Sequence, residues 1–147
     1  MAFKFSTGLR KKLCFNGSLK TILDDTVLRL YSGPVPQDAD APLTGNNVML
    51  CEVTAGGDGV TFEGDSADPT LTKSMSEVWQ GDVLEAGYAT FFRLVKEADT
   101  GNASSSSTRI QGTVGGPAAD LMISNPQLAP GAPQRVEYFA IALLEHA

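Results

Sequence analysis

The residues of this chain that could carry chemistry are few and scattered. Its single histidine, His146, is the penultimate residue, and histidine is the side chain that serves most often as a base near neutral pH. Four serines run together at 104–107 within DTGNASSSST, a composition that reads as a flexible polar connection rather than a nucleophile beside a base. Cys14 and Cys51 have no metal-ligand spacing and no neighbouring histidine. They are expected as two buried, reduced thiols, with a disulfide left open. Asp58, Glu63, Asp65 and Asp68 cluster in the glycine-containing stretch DGVTFEGDSAD. Oxygen ligands of that type suit calcium, but the spacing matches no EF-hand loop, so solvated loop carboxylates are the simpler reading. The glycines of GGDG and VGGPA do not follow the strand–glycine–helix order of a phosphate-binding loop. Trp79 is expected as a half-buried core residue. Arg93 stands out as a lone charge in a strand that is otherwise apolar on both faces, so a carboxylate partner is expected across the strand or in a neighbouring subunit. These residue types point to no catalytic group and no cofactor.

Size and charge narrow the classes further. A chain of 147 residues with 42% hydrophobic and 19% charged residues can bury one core without metals or disulfides. No run approaches the ~20 apolar residues of a membrane helix, and the start MAFKFSTGLRKKLCF does not read as a secretion signal. Net charge is −6, unevenly placed: residues 1–29 sum to +4 and the rest to −10. A basic leading segment on an acidic body suits an intramolecular fit or an acidic protein partner. Sequence-specific nucleic-acid binding is disfavoured, because the body would repel phosphate.

The elements that must position these residues follow from periodicity. Ser6 or Thr7 can cap a short helix through Phe15 with Leu9 and Leu13 one turn apart, and Asn16-Gly17 ends it. Ser18 can cap a second, with Leu19, Ile22 and Leu23 inward, that stops at Asp24-Asp25. From Val27 the period drops to two. VLRLYS, VMLCEVT and VTFE read as strands, separated by the proline-rich connection 33–47. AGYATFFRLVKEA (86–98) and RVEYFAIALLEHA (135–147) are apolar on both faces, which demands cover on each side from the front helices or a neighbouring subunit. TRIQGTV (108–114) alternates, with Arg109, Gln111 and Thr113 on a face expected to be wet. The sum is mainly β: a β-sandwich or jelly-roll-like domain over 27–147, preceded by a basic segment 1–26 with one or two short helices.

The stretches FKFSTGLRKKL, VLRLYSGPVPQDADAPLTG, VMLCEV, EVWQG, AGYATFFRLV, TRIQGTVGGPAADLMISNP and VEYFAIALLE together resemble a family of small virion structural proteins of tailed bacteriophages. The resemblance spans almost the whole chain. It implies a non-enzymatic, multi-copy subunit of the virion, assembled in the host cytoplasm, at the head-to-tail neck or collar or as a capsid decoration. Its partners would be copies of itself and portal, connector or capsid proteins, with no membrane involved. Phe3, Phe5, Leu9, Arg10, Lys11, Lys12, Leu13 and Arg93 are then the expected interface residues. A carbohydrate-binding or adhesion module is the alternative from the binding class, and a carboxylate-pair hydrolase the alternative from the enzymes.

Overall fold

In the computed structural model, which describes residues 3–65, 68–115, 119–123 and 125–143, the chain is mainly β. Its elements are β1 (Lys4–Phe5), α1 (Thr7–Phe15), α2 (Leu19–Leu23), β2 (Val27–Tyr31), β3 (Met49–Ala55), β4 (Phe62–Asp65), β5 (Asp68–Lys73) and β6 (Trp79–Asp82). They continue with β7 (Gly87–Tyr88), β8 (Phe91–Val95), β9 (Arg109–Gly115), β10 (Leu121–Met122), β11 (Gln127–Leu128), β12 (Pro133–Val136) and β13 (Ala140–Ala142). The large sheet runs β1-β9-β8-β2-β3-β6-β12, with β10 also paired to β9, and a small sheet runs β13-β5-β4.

Both helices start where a hydroxyl can accept an orphan backbone N–H. Ser6 Oγ accepts from Leu9 N and Ser18 Oγ from Thr21 N, which satisfies donors that a helix start leaves unpaired. The inward face of the large sheet carries Leu28, Leu30, Cys51, Val53, Phe92, Leu94 and Ile110. Phe62 and Ile141 from the small sheet and Leu9, Leu19 and Leu23 from the helices close over it in one cluster. Phe139 is the hub of that cluster. Its ring lies 5.6 Å from Phe3, 5.6 Å from Phe92, 6.0 Å from Trp79 and 6.3 Å from Phe62, in the tilted and edge-on arrangements that ring quadrupoles favour. Trp79 is fully buried rather than half-buried, with its Nε1 donating to Glu77 Oε1 at 3.0 Å.

Residues 3–26 are built into this same core. β1 pairs antiparallel with β9, Lys4 opposite Gln111 and Phe5 opposite Ile110. Leu9, expected at an interface with another molecule, is completely buried, because α1 turns its apolar side onto the sheet. Gly8 makes that approach possible: a Cβ there would stand 2.4–2.5 Å from backbone atoms of Ser106 and Ser107.

The two long apolar strands are each broken. Residues 86–98 form β7 and β8 with a gap at Ala89-Thr90, and 135–143 form β12 and β13 with a gap at 137–139. At the second gap the chain passes from the large sheet to the small one. Val136, Phe139 and Ile141 therefore all reach the core, while Tyr138 and Leu143 are exposed. That element has one wet side, not two dry ones.

Candidate assembly surface

The outer face of the large sheet is where the sequence-based expectation fails most clearly. Register places Glu52, Arg29, Arg93, Gln111 and Lys4 in one row across β3, β2, β8, β9 and β1. Like charges opposite one another across strands repel, so this row persists only because each cation has its own acceptors. Arg29 Nε pairs with Glu52 Oε2 at 2.9 Å, and its two terminal nitrogens donate to the Asp99 and Glu97 carbonyls at 2.7 Å. Arg109 pairs with Asp99 through both Nε (2.8 Å) and Nη2 (3.0 Å), the two side chains being 1% and 4% exposed.

Among the described residues no carboxylate pairs with Arg93. Its Nε donates to Gln111 Oε1 at 3.0 Å and its Nη2 to the carbonyls of Ala41 (2.8 Å) and Asp38 (3.3 Å), while Nη1 finds no acceptor among the described residues. At 1% exposure Arg93 is buried within its own chain rather than presented at the surface. Burial first, and the Arg109 charge second, push its guanidinium down to about 10, so it stays charged at neutral pH.

The cover over this row is the chain's own 33–47 connection. Carbonyls of Pro36, Gln37, Asp38, Ala39 and Ala41 accept from Gln111, Lys4, Arg93 and Arg109. Proline-rich backbone cannot pair with a strand, so its free carbonyls suit guanidinium donors. The serine-rich loop 99–108 is tied down in the same way. Arg109 holds Asp99 and the Asn102 carbonyl, Ser104 Oγ accepts from the N–H groups of Ser106 and Ser107, and Ser6 Oγ donates to the Ser107 carbonyl. It is a hydrogen-bonded lid over Arg109, and Arg109 and Gln111 are buried rather than wet, Gln111 beneath the 33–47 connection.

The remaining expected interface residues divide. Phe3, Phe5 and Leu13 are half-buried against their own core, and Lys12 Nζ turns inward to Thr108 Oγ1 at 2.5 Å. Arg10 and Lys11 are exposed, and so are Cys14 and Phe15, the latter at 84%. Residues four apart on a helix share a face, so Arg10 with Cys14 and Lys11 with Phe15 form one cationic ridge ending in an aromatic ring. Asp40 fixes where the ridge stands: its carboxylate accepts from Thr7 N at 2.8 Å and Thr7 Oγ1 at 2.5 Å. Burial alone would raise the Asp40 carboxyl; these bonds and the nearby Arg10 and Arg109 hold it below the ordinary range.

A second surface feature was not foreseen from the sequence. A groove of about 620 Å³ runs between β10 and residues 133–140. Its lining includes the exposed Met122 and Tyr138, the buried Ile123 and Phe139, and the carboxylates Asp120 and Glu137. No periodicity signals it, because it arises where the chain leaves β12 for β13.

No family model, curated protein or solved structure matches this chain.

The carboxylates considered for calcium sit on different features of the chain. Asp58 closes a tight turn by backbone bonds with Ala55, and Glu63 Oε1 accepts from Ser74 Oγ at 3.1 Å. Asp65 and Asp68 are register partners where β4 meets β5. Among the described residues no group of three or more His, Cys, Asp or Glu could hold a metal ion, and no helix is long and apolar enough to cross a membrane. His146 lies outside the described residues.

The two thiols are both free and differ sharply. Cys51 is buried in the core, and burial, with Asp82 and Glu52 nearby, pushes it up to about 11. Cys14 is exposed on α1, contrary to the expectation of two buried thiols. Since the thiolate is the reactive form, alkylation of the folded chain at neutral pH should add one label, at Cys14. Cys51 should react only after denaturation, as peptide mass spectrometry would show. Equal labelling of both would place Cys51 at the surface.

Proposed function

We propose that the protein is a non-enzymatic structural subunit of a tailed-bacteriophage virion, present in many copies at the neck or collar between head and tail. The observation that carries this reading is the α1 ridge. It presents Arg10, Lys11 and an 84%-exposed Phe15 on a leading segment of +4, attached to a body of −10. A large aromatic held out in water beside fixed cations, on a helix clamped by Asp40, Gly8 and Ser6, suits a rigid protein–protein contact, where aromatic and arginine anchors carry most of the binding free energy. The likeness of the chain's segments to small phage virion proteins supplies the particle. The dry outer sheet face is not part of this reading, because the 33–47 and 99–108 loops already cover it.

Purified particles provide the test. Mass spectrometry should find the chain in stoichiometric excess over a single copy, and an electron-microscopic reconstruction should place its density at the portal or connector. Density spread over the capsid exterior would make it a decoration protein. Particles that lack the chain would refute a structural role.

A further inference from the structure

We infer that copies of this chain dock head to tail, the α1 ridge of one copy seated in the groove between β10 and residues 133–140 of the next. This deepens the proposed function by naming the two surfaces that a multi-copy assembly would join.

Three observations lead to it. First, ridge and groove lie at opposite ends of β9. The helix is fastened to the Arg109 end: Ser6 N donates to the Arg109 carbonyl at 2.9 Å, Gly8 packs on Ser106, and Lys12 Nζ reaches Thr108. The groove adjoins the other end, where Leu121 and Met122 pair with Val114 and Gly115. A seven-residue strand is roughly 20 Å long, so a copy's own ridge cannot enter its own groove. Second, both surfaces expose apolar side chains. Phe15 is the most exposed large apolar side chain among the described residues. The groove offers Met122 and Tyr138, 65% and 64% exposed, above a floor of Ile123 and Phe139. Its volume is within the range that holds a compact organic group. Third, the charges match. Arg10 and Lys11 precede Phe15 by about one helical turn, while the groove carries the exposed Glu137, 3.5 Å from the lining residue Arg135, and Asp120, whose Oδ2 already accepts from Thr113 N at 2.9 Å. Residues 30–147 as a whole sum to −10, which draws the basic leading segment of one copy toward the body of another.

Joining two different patches makes the contact heterologous, and such contacts close into rings when the rotation permits. An incomplete chain of copies then keeps one free ridge at one end and one free groove at the other until the ring closes. A second copy is therefore the occupant to which the opposed placement and the opposite charges point. A self-complementary dimer would need both features on one side.

Light scattering and negative-stain imaging of the full chain test this with Phe15→Glu and Tyr138→Glu, both at exposed positions. Wild type should associate. Each variant alone should associate at least tenfold more weakly, with thermal unfolding unchanged. Mixed one to one, the two variants should form dimers and stop, since Phe15→Glu keeps a groove and Tyr138→Glu keeps a ridge. If Tyr138→Glu disturbs folding, Met122→Glu on the same groove takes its place. Variants that associate as wild type does, a mixture that stays monomeric, or a monomeric wild type would each overturn the docking. A wild type that is monomeric in solution but present in virions would sink the docking and leave the virion reading intact. Rings from a protein absent from virions would do the reverse.

Discussion

Replacing Arg109 with methionine should destabilise the fold by about 3–5 kcal/mol, the usual cost of leaving one member of a buried ion pair alone. Asp99 would be stranded at 4% side-chain exposure beneath the 99–108 loop, without the Nε and Nη2 donors that now hold it. Arg93→Met, on the neighbouring strand, should cost only about 1–2 kcal/mol. It orphans no carboxylate, sacrifices bonds to two carbonyls and Gln111, and removes a charge that Arg109 opposes. Denaturant melts of the two variants, compared with wild type, would give the order directly. Equal costs would mean that the Arg109–Asp99 pair is not the anchor of the layer.

The same pair sets an acid response. Burial taken alone would raise the Asp99 carboxyl. Hydrogen bonds from Arg109 and Gly101, and the charges of Arg109 and Arg29, outweigh it and hold Asp99 below the ordinary range. A folded value below the unfolded one, ~3.9 for an aspartate, means stability that is fully present above that value and lost as pH falls through the folded one. Wild type should therefore lose stability steeply in acid below about pH 4. Arg109→Met, already without this contribution, should show a shallower acid limb.

Phe139→Ala is the second large effect, about 3–5 kcal/mol for a fully buried phenylalanine. Four aromatic rings contact this one side chain: Phe3, just before β1, and one each from β4, β6 and β8. Its loss would open a cavity that strands from two sheets and the leading segment all face. Partial collapse cannot fill a void bounded by several independent elements, so little of the cost should be recovered. Phe139→Leu should keep roughly half of the lost stability, because much of the volume remains. A thermal shift of only a degree or two for the alanine variant would show that the two sheets do not meet at this ring.

Where a signal is local, the reading from residues holds. Ser6 and Ser18 cap α1 and α2 as their hydroxyls and the following apolar spacing predict, and α2 stops at Asp24. Val27, Leu28, Leu30 and Tyr31 line both faces of β2, and the prolines of 33–47 keep that stretch irregular. Arg10 and Lys11 are exposed, as charges on a short leading helix are expected to be.

The misreadings share one cause. Arg93, Arg109 and Gln111 look like a wet or intersubunit face because alternation in a strand tells only that two faces differ, not what lies over each. Which face stays dry depended on the 33–47 connection, remote in sequence, folding back to offer carbonyls to three buried side chains. Leu9, Leu13 and Phe3 read equally well as docking residues or core, since an apolar helix face does not name its partner.

From the sequence by itself came the β-rich class, the two capped helices, the turn-rich connections and the unequal charge of front and body, all properties of neighbouring residues. Only the tertiary structure decided that loops rather than sister molecules cover the outer sheet, that Leu9 faces inward while Phe15 faces out, and that a groove opens where β12 gives way to β13. Those depend on contacts between residues up to about a hundred positions apart, such as Ser6 with Ser107, and the closure of such contacts leaves no periodic mark along the chain.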